Sequence, residues 1–118
     1  MASPSKEKYL LEIYLNVLQE GYARVSMVAK ALNVSVSSTS KMAKKLAEEN
    51  LIEFKRYGII TLTEKGLEIG EQLSSNHEVL VKFFQLINGD KQEIESEVSK
   101  VEFHISHEVI QKLEQFIR

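Results

Sequence analysis

Between residues 35 and 45 the chain carries Ser35, Ser37, Ser38, Thr39, Ser40 and Lys41, then Lys44 and Lys45. Short hydroxyls donate to and accept from phosphates and base edges without filling a groove, and ammonium groups supply the charge that phosphates attract. If this segment opens a helix, its free backbone N–H groups also face an anion. A second cluster follows at Lys55, Arg56 and Tyr57. A guanidinium there can grip a phosphate or enter a minor groove. The candidate contacts to duplex DNA are therefore Ser35, Ser37, Ser38, Thr39, Lys41, Lys44, Lys45, Lys55, Arg56 and Tyr57. No Ser/His/Asp set, Gly-rich phosphate loop or two-carboxylate site stands beside them, so no enzyme is expected. The sequence contains no cysteine. That excludes disulfides, zinc fingers and thiol catalysis and fits a reducing compartment.

The pattern of apolar residues supplies elements to hold these groups. Tyr9, Leu10, Ile13, Tyr14, Val17 and Leu18 recur at helical spacing over Ser5 to about Gln19, and Gly21 ends that helix. A short helix is expected from Ser26, as N-cap, to Leu32, followed by a tight turn at Asn33 and a helix from Ser35 to about Glu49. Leu51-Ile-Glu-Phe-Lys-Arg-Tyr-Gly-Ile-Ile-Thr-Leu62 reads as two short strands around a turn near Tyr57-Gly58. Helix, three-residue turn, helix and β-hairpin form the helix-turn-helix pattern with a wing, and small Ala29 suits a close helix crossing. Thr63 caps a long helix from Glu64 to about Ile87, with a stripe at Ile69, Leu73, Leu80, Phe83, Phe84 and Ile87. Asn88-Gly89-Asp90 breaks it. A short acidic helix is expected over 91–99, and a last one from near Ser106 with Val109, Ile110, Leu113, Phe116 and Ile117.

The 118 residues suffice for one compact domain or two small lobes. An apolar share of 43% and a charged share of 27% belong to a folded chain rather than a disordered one. The net charge of −2 does not by itself point to nucleic acid, but residues 1–64 sum to +2 and residues 65–118 to −4. A mildly basic front half can meet phosphate while the acidic back half does something else. No apolar run reaches membrane-spanning length, and Met1-Ala-Ser-Pro-Ser-Lys6 lacks a signal peptide's apolar stretch, so the expected location is cytoplasmic with no membrane partner.

Pro4-Ser5 with Tyr9 and Ile13-Tyr14, the run Gly21-Tyr-Ala-Arg-Val-Ser26, Ser37-Ser38 with Lys41-Met42, Leu62-Thr-Glu-Lys-Gly66 and Asn76-His77-Glu78 cover nearly the whole chain. In these residues the chain resembles the diphtheria-toxin-repressor family, and within it the manganese-responsive transport regulators. The resemblance implies a mainly α fold. Residues 1–63 would form a winged helix-turn-helix of three helices plus a two-stranded wing, and residues 64–118 an α-helical dimerisation lobe. It implies a homodimer on a palindromic operator, paired through the later helices, with Leu80, Phe83, Phe84, Ile110 and Leu113 as the expected dimerisation residues. Relatives in this branch usually continue into a further helix that widens the dimer interface. A chain ending at Arg118 is thus expected to pair more weakly or to be a shortened form.

The resemblance also implies a metal site and shows it altered. In the manganese branch, ligands come from the first helix, the start of the long helix and the acidic helix: carboxylates at positions 8, 11, 99 and 102 and imidazoles at 77 and 103. This chain has Lys8, Leu11, Ser99 and Phe103 at four of these positions and retains only His77 and Glu102. Manganese and iron(II) require several oxygen and nitrogen donors, which two ligands do not supply. The expectation is a metal-substitute arrangement in which Lys8 meets Glu102 and Leu11 and Phe103 fill the emptied space. The chain would then act as a transcriptional regulator, and more specifically a repressor, without a cofactor. Two alternatives stand beside it. One is a manganese- or iron(II)-responsive repressor with a site rebuilt from His77, Glu102, His104 or His107; the other is a winged-helix protein-interaction module.

Overall fold

The computed structural model describes residues 3–87 and 90–118. The elements are helix α1 (Pro4–Glu20), strand β1 (Ala23–Arg24), helices α2 (Val25–Leu32) and α3 (Val36–Glu48), strand β2 (Ile52–Phe54), a 3-10 turn at Arg56–Gly58, strand β3 (Ile59–Leu62), and helices α4 (Glu64–Leu86), α5 (Lys91–Val101) and α6 (His107–Ile117). The chain divides into two compact units, Met1–Glu71 and Gln72–Arg118. The mainly α fold with an N-terminal winged helix-turn-helix agrees with the expectation. The proposed break at Asn88 and Gly89 lies outside the described residues.

Several helix ends have a local cause. The Ser3 side chain accepts from Lys6 N–H and Pro4 occupies the first helical position of α1, where its missing N–H costs nothing. Gly21, at φ 86°, closes that helix with its N–H donated to Val17 O. Ser106 caps α6 by accepting from Val109 N–H, and Asp90 caps α5 by accepting from Gln92 N–H.

Two expectations change here. The sheet has three strands in the order β1-β3-β2, because Ala23 and Arg24 pair antiparallel with Ile60 and Ile59. A two-residue strand is too short to show alternation, so only the hairpin partner reveals it. That pairing also moves the start of α2. Arg24 occupies the N-cap position in extended backbone with no side-chain cap, and Ser26 lies exposed inside the helix. The chain enters α2 directly from the sheet, so no capping hydroxyl sets the boundary.

The first unit closes over Tyr9, Leu10, Ile13 and Tyr14 of α1, Val28 and Ala29 of α2, Ala43 and Leu46 of α3, and Ile52 and Ile60 of the sheet, all buried. The start of α4 is held against this body by backbone. Thr63 Oγ1 donates to Asn50 O and accepts from Gly66 N–H, and Thr63 N–H donates to Leu51 O. Gly66 sits so close that an added Cβ would lie 1.9 Å from Leu51 O, and at Gly70 one would lie 2.5 Å from the Tyr14 ring. The second unit has its own core of Val79, Leu80, Ile94, Val98 and Ile110, one layer from each of α4, α5 and α6.

Gly66→Ala should therefore destabilise the first unit by about 1–3 kcal/mol, since a backbone carbonyl cannot swing aside as a flexible side chain does. Urea unfolding read by circular dichroism measures it. An unchanged midpoint would show that the α4 start can relax without cost.

Candidate nucleic-acid interface

The turn between α2 and α3 is built by Asn33, which takes the left-handed backbone (φ 56°) and donates its N–H to Ala29 O and Lys30 O. Val34 N–H also donates to Ala29 O. Buried Ala29 leaves space for the crossing. Ser35 then caps α3: its side chain accepts from Ser38 N–H at 3.0 Å, and its hydroxyl donates to Ser38 Oγ at 2.8 Å.

At about 100° per residue, the side chains of α3 separate into two faces. Thr39, Ala43 and Leu46 face inward and are buried. Ser37, Ser38, Lys41, Lys44 and Lys45 are all exposed and fall within an arc of about 120° on the other side. Lys55 and Arg56 are exposed at the wing. Tyr57 is 89% exposed at its tip. Thr39 is a correction: it is 1% exposed and its hydroxyl donates to Ser35 O at 3.0 Å, so it packs the helix against the core and offers nothing to a ligand. The hydroxyl run suggests one reading strip, but helical geometry rotates its middle member inward.

Arg24, absent from the expected contacts, is exposed with its guanidinium 5.4 Å from the Tyr22 ring centre. Lys6 is drawn out of the free charge by an ion pair with Glu49, which joins α1 to the end of α3.

In the second unit, His77 and Glu102 come together, with His77 in the middle of α4 rather than near its start. His77 Nδ1 donates to Glu102 Oε1 at 2.8 Å, and its Nε2 lies 3.4 Å from Glu95 Oε2. Glu102 is buried, and its hydrogen bond pushes the His77 pKa above the ordinary 6.5; the nearby charges of Glu102 and Glu95 add to this against the opposing effect of burial. Sequence reasoning omitted Glu95, although Glu95 and Glu102 are two helical turns apart and share a face. Ser99 donates its hydroxyl to Ser96 O, and Phe103 is half-buried. On α1, Lys8 is exposed and Leu11 is buried.

Both ring nitrogens of His77 are turned to carboxylates, Nδ1 to Glu102 and Nε2 towards Glu95. Among the described residues no group of three or more His, Cys, Asp or Glu side chains is arranged to hold a metal. His104 and His107 are not a helical pair: His104 lies in the turn after α5, while His107 opens α6 and donates Nδ1–H to Asn76 Oδ1 at 2.7 Å. Asn76 and His77 thus join α4 to both following helices.

Leu80 and Ile110 are further corrections. Each is 1% exposed within a single protomer, because α5 closes over them, so both are core. Phe84 and Leu113 are partly buried against the same core. Phe83 packs edge-on against Phe84 with ring centres 5.4 Å apart.

With this geometry in view, comparison with known proteins is decisive. Residues 1–60 match the iron-dependent repressor N-terminal DNA-binding domain, and residues 63–118 match the metal-binding and dimerisation domain of the same group. The chain belongs to the iron-dependent, or diphtheria-toxin, repressor family. The family is one of transcriptional regulators and not of enzymes. Among solved structures it is similar to the metal-dependent transcriptional regulator MtsR (27% identity, TM-score 0.84, covering 98% of this chain and 54% of that one). It is also similar to the manganese regulator SloR (27%, 0.81, 95% and 53%). A third similar structure is a hypothetical protein of Sulfolobus solfataricus (26%, 0.73, 98% and 89%). The chain spans about half the length of MtsR and SloR. Among the described residues no helix is long and apolar enough to cross a membrane.

The His77–Glu102 pair has a pH signature. A histidine whose folded pKa lies above its unfolded value contributes stability that is complete below about pH 6.5 and is lost as pH rises through the folded pKa. The urea midpoint should fall across that window, and His77→Gln should flatten the fall. A wild-type slope that persists in His77→Gln would assign it to another group.

Proposed function

We propose that this chain is a sequence-specific DNA-binding repressor that acts as a homodimer on a palindromic operator, in the cytoplasm or nucleoid, without manganese or iron at the family's metal position. The observation that carries the DNA reading is the division of α3. All its inward positions are apolar or, at Thr39, internally bonded, while three lysines and two serines share the outer arc. Phosphate contact from Lys41, Lys44, Lys45, Lys55 and Arg56 positions the helix, and Ser37 and Ser38 reach base edges. The metal-free reading rests on His77. Its Nδ1 is paired to Glu102 and its Nε2 is set beside Glu95, so the ring engages both carboxylates inside the second unit. At the sequence positions where the family resemblance implies further ligands, the chain has Lys8, Leu11 and Phe103.

Fluorescence anisotropy on duplexes enriched from a random pool tests both parts, with chelator or manganese across a salt series. Tight palindromic binding with a steep salt slope and no response to chelator is expected. Binding only with manganese would overturn metal independence. Absence of salt-sensitive binding in either condition would favour a protein-interaction module.

For the dimer, the support comes from apolar side chains that the second unit leaves outside its core. Leu86 and Ile87 at the end of α4 and Val109 and Phe116 on α6 are exposed, Phe116 by 79%. An open cavity of about 390 Å³, lined by Val79, Leu86 and Ile117 among others, lies at the same end of the unit. Phe116→Glu should shift sedimentation toward the monomer with unchanged circular dichroism, whereas Leu80→Ala should cost about 2–5 kcal/mol of stability. A Phe116→Glu chain that sediments as wild type would place the interface elsewhere.

A further inference from the structure

The wing tip contains a conflict between local chemistry and backbone. Ile59 N–H donates to Arg56 O, and the two residues between them both have positive φ, Tyr57 at 63° and Gly58 at 73°. This is the backbone of a primed hairpin turn, whose first central position favours Asn, Asp or Gly. A bulky aromatic there is strained by its own Cβ. The turn cannot relax freely to remove that strain. Lys55 N–H donates to Ile59 O at 2.7 Å, and the position of Gly58 leaves an added Cβ 3.5 Å from the Val25 side chain, so the tip is seated on the start of α2.

The ring gains nothing from the fold in return. Tyr57 is 89% exposed, the most exposed of the large apolar and aromatic residues in the described chain. An aromatic residue held in a strained conformation and left in water has no burial to offset the strain. Lys55 and Arg56, which precede it, are also exposed, so two cations accompany the ring at the hairpin tip.

We infer that Tyr57 is a DNA-contacting probe whose ring packs on the apolar face of a deoxyribose or base of the bound duplex, while Lys55 and Arg56 hold the adjoining phosphates. This rests on the DNA-binding reading above and adds the contact that the ring itself makes. Strain that local sequence preference would remove is retained because the left-handed backbone aims the ring outward.

The test pairs stability with affinity in the full chain. Tyr57→Asn creates the favoured Asn-Gly turn and should raise Tm by a few degrees, yet weaken binding to a selected duplex roughly tenfold. The salt slope should stay unchanged, because no charge is lost. Tyr57→Phe keeps the ring and should bind within roughly threefold of wild type. Arg56→Ala should instead lower the salt slope by about one. A Tyr57→Asn chain that gains stability and keeps full affinity would overturn the inference, making Tyr57 only a poor turn residue. One that loses both would make the ring a structural support. A wild-type chain with no affinity for any duplex would sink the functional reading itself, and the role of Tyr57 with it.

Discussion

The contact on which most of the molecule depends is the approach of α4 to the first unit at Gly66. There the helix backbone meets the Leu51 carbonyl with no room for a side chain, and Thr63 uses both hydrogen-bonding directions of its hydroxyl to hold the junction. One turn later Gly70 lies against the Tyr14 ring. Two close approaches on one face fix the first turns of α4 within the unit that carries α3. The same helix then continues without interruption and supplies Asn76, His77, Val79 and Leu80 to the second unit. The Leu-Thr-x-Lys-Gly stretch is thus a packing requirement before it is a family mark.

The second unit has a different problem. It is small, and its buried polar groups must be satisfied by each other. Glu102 is paired by His77 and Asn76 by His107, so two neighbouring residues of α4 serve both later helices. This arrangement makes His77 a structural partner of two carboxylates within the second unit.

On the first unit, the division of labour follows from helix geometry. A run of hydroxyls and lysines looks uniform along the chain, but rotation sends every third or fourth residue inward. Thr39 is recruited to the core and Ser35 to the cap, leaving Ser37 and Ser38 with the lysines as the outward set. The wing adds its charge through a turn whose conformation suits its hydrogen bonds better than it suits Tyr57.

Much of this was legible in the chain. Helical spacing in α1, the turn residue Asn33, the Ser35 and Thr63 caps and the hairpin around Tyr57-Gly58 are local signals, because period, cap and turn are properties of neighbouring residues. Lys8, Leu11, Ser99 and Phe103, at the positions where the family resemblance implies ligands, are likewise visible without coordinates. What only the tertiary structure decided is which partner each group has. Strand β1 exists because β3 lies beside it, and Ser26 loses its capping role for that reason. Leu80 and Ile110 satisfy a dimer stripe as well as a core stripe by periodicity alone, and it is α5 lying over them that makes them core. Glu95 has the spacing to join Glu102, but only the fold brings His77 between them. Periodicity states which face of an element is apolar or charged; burial and pairing depend on what the rest of the chain places against that face.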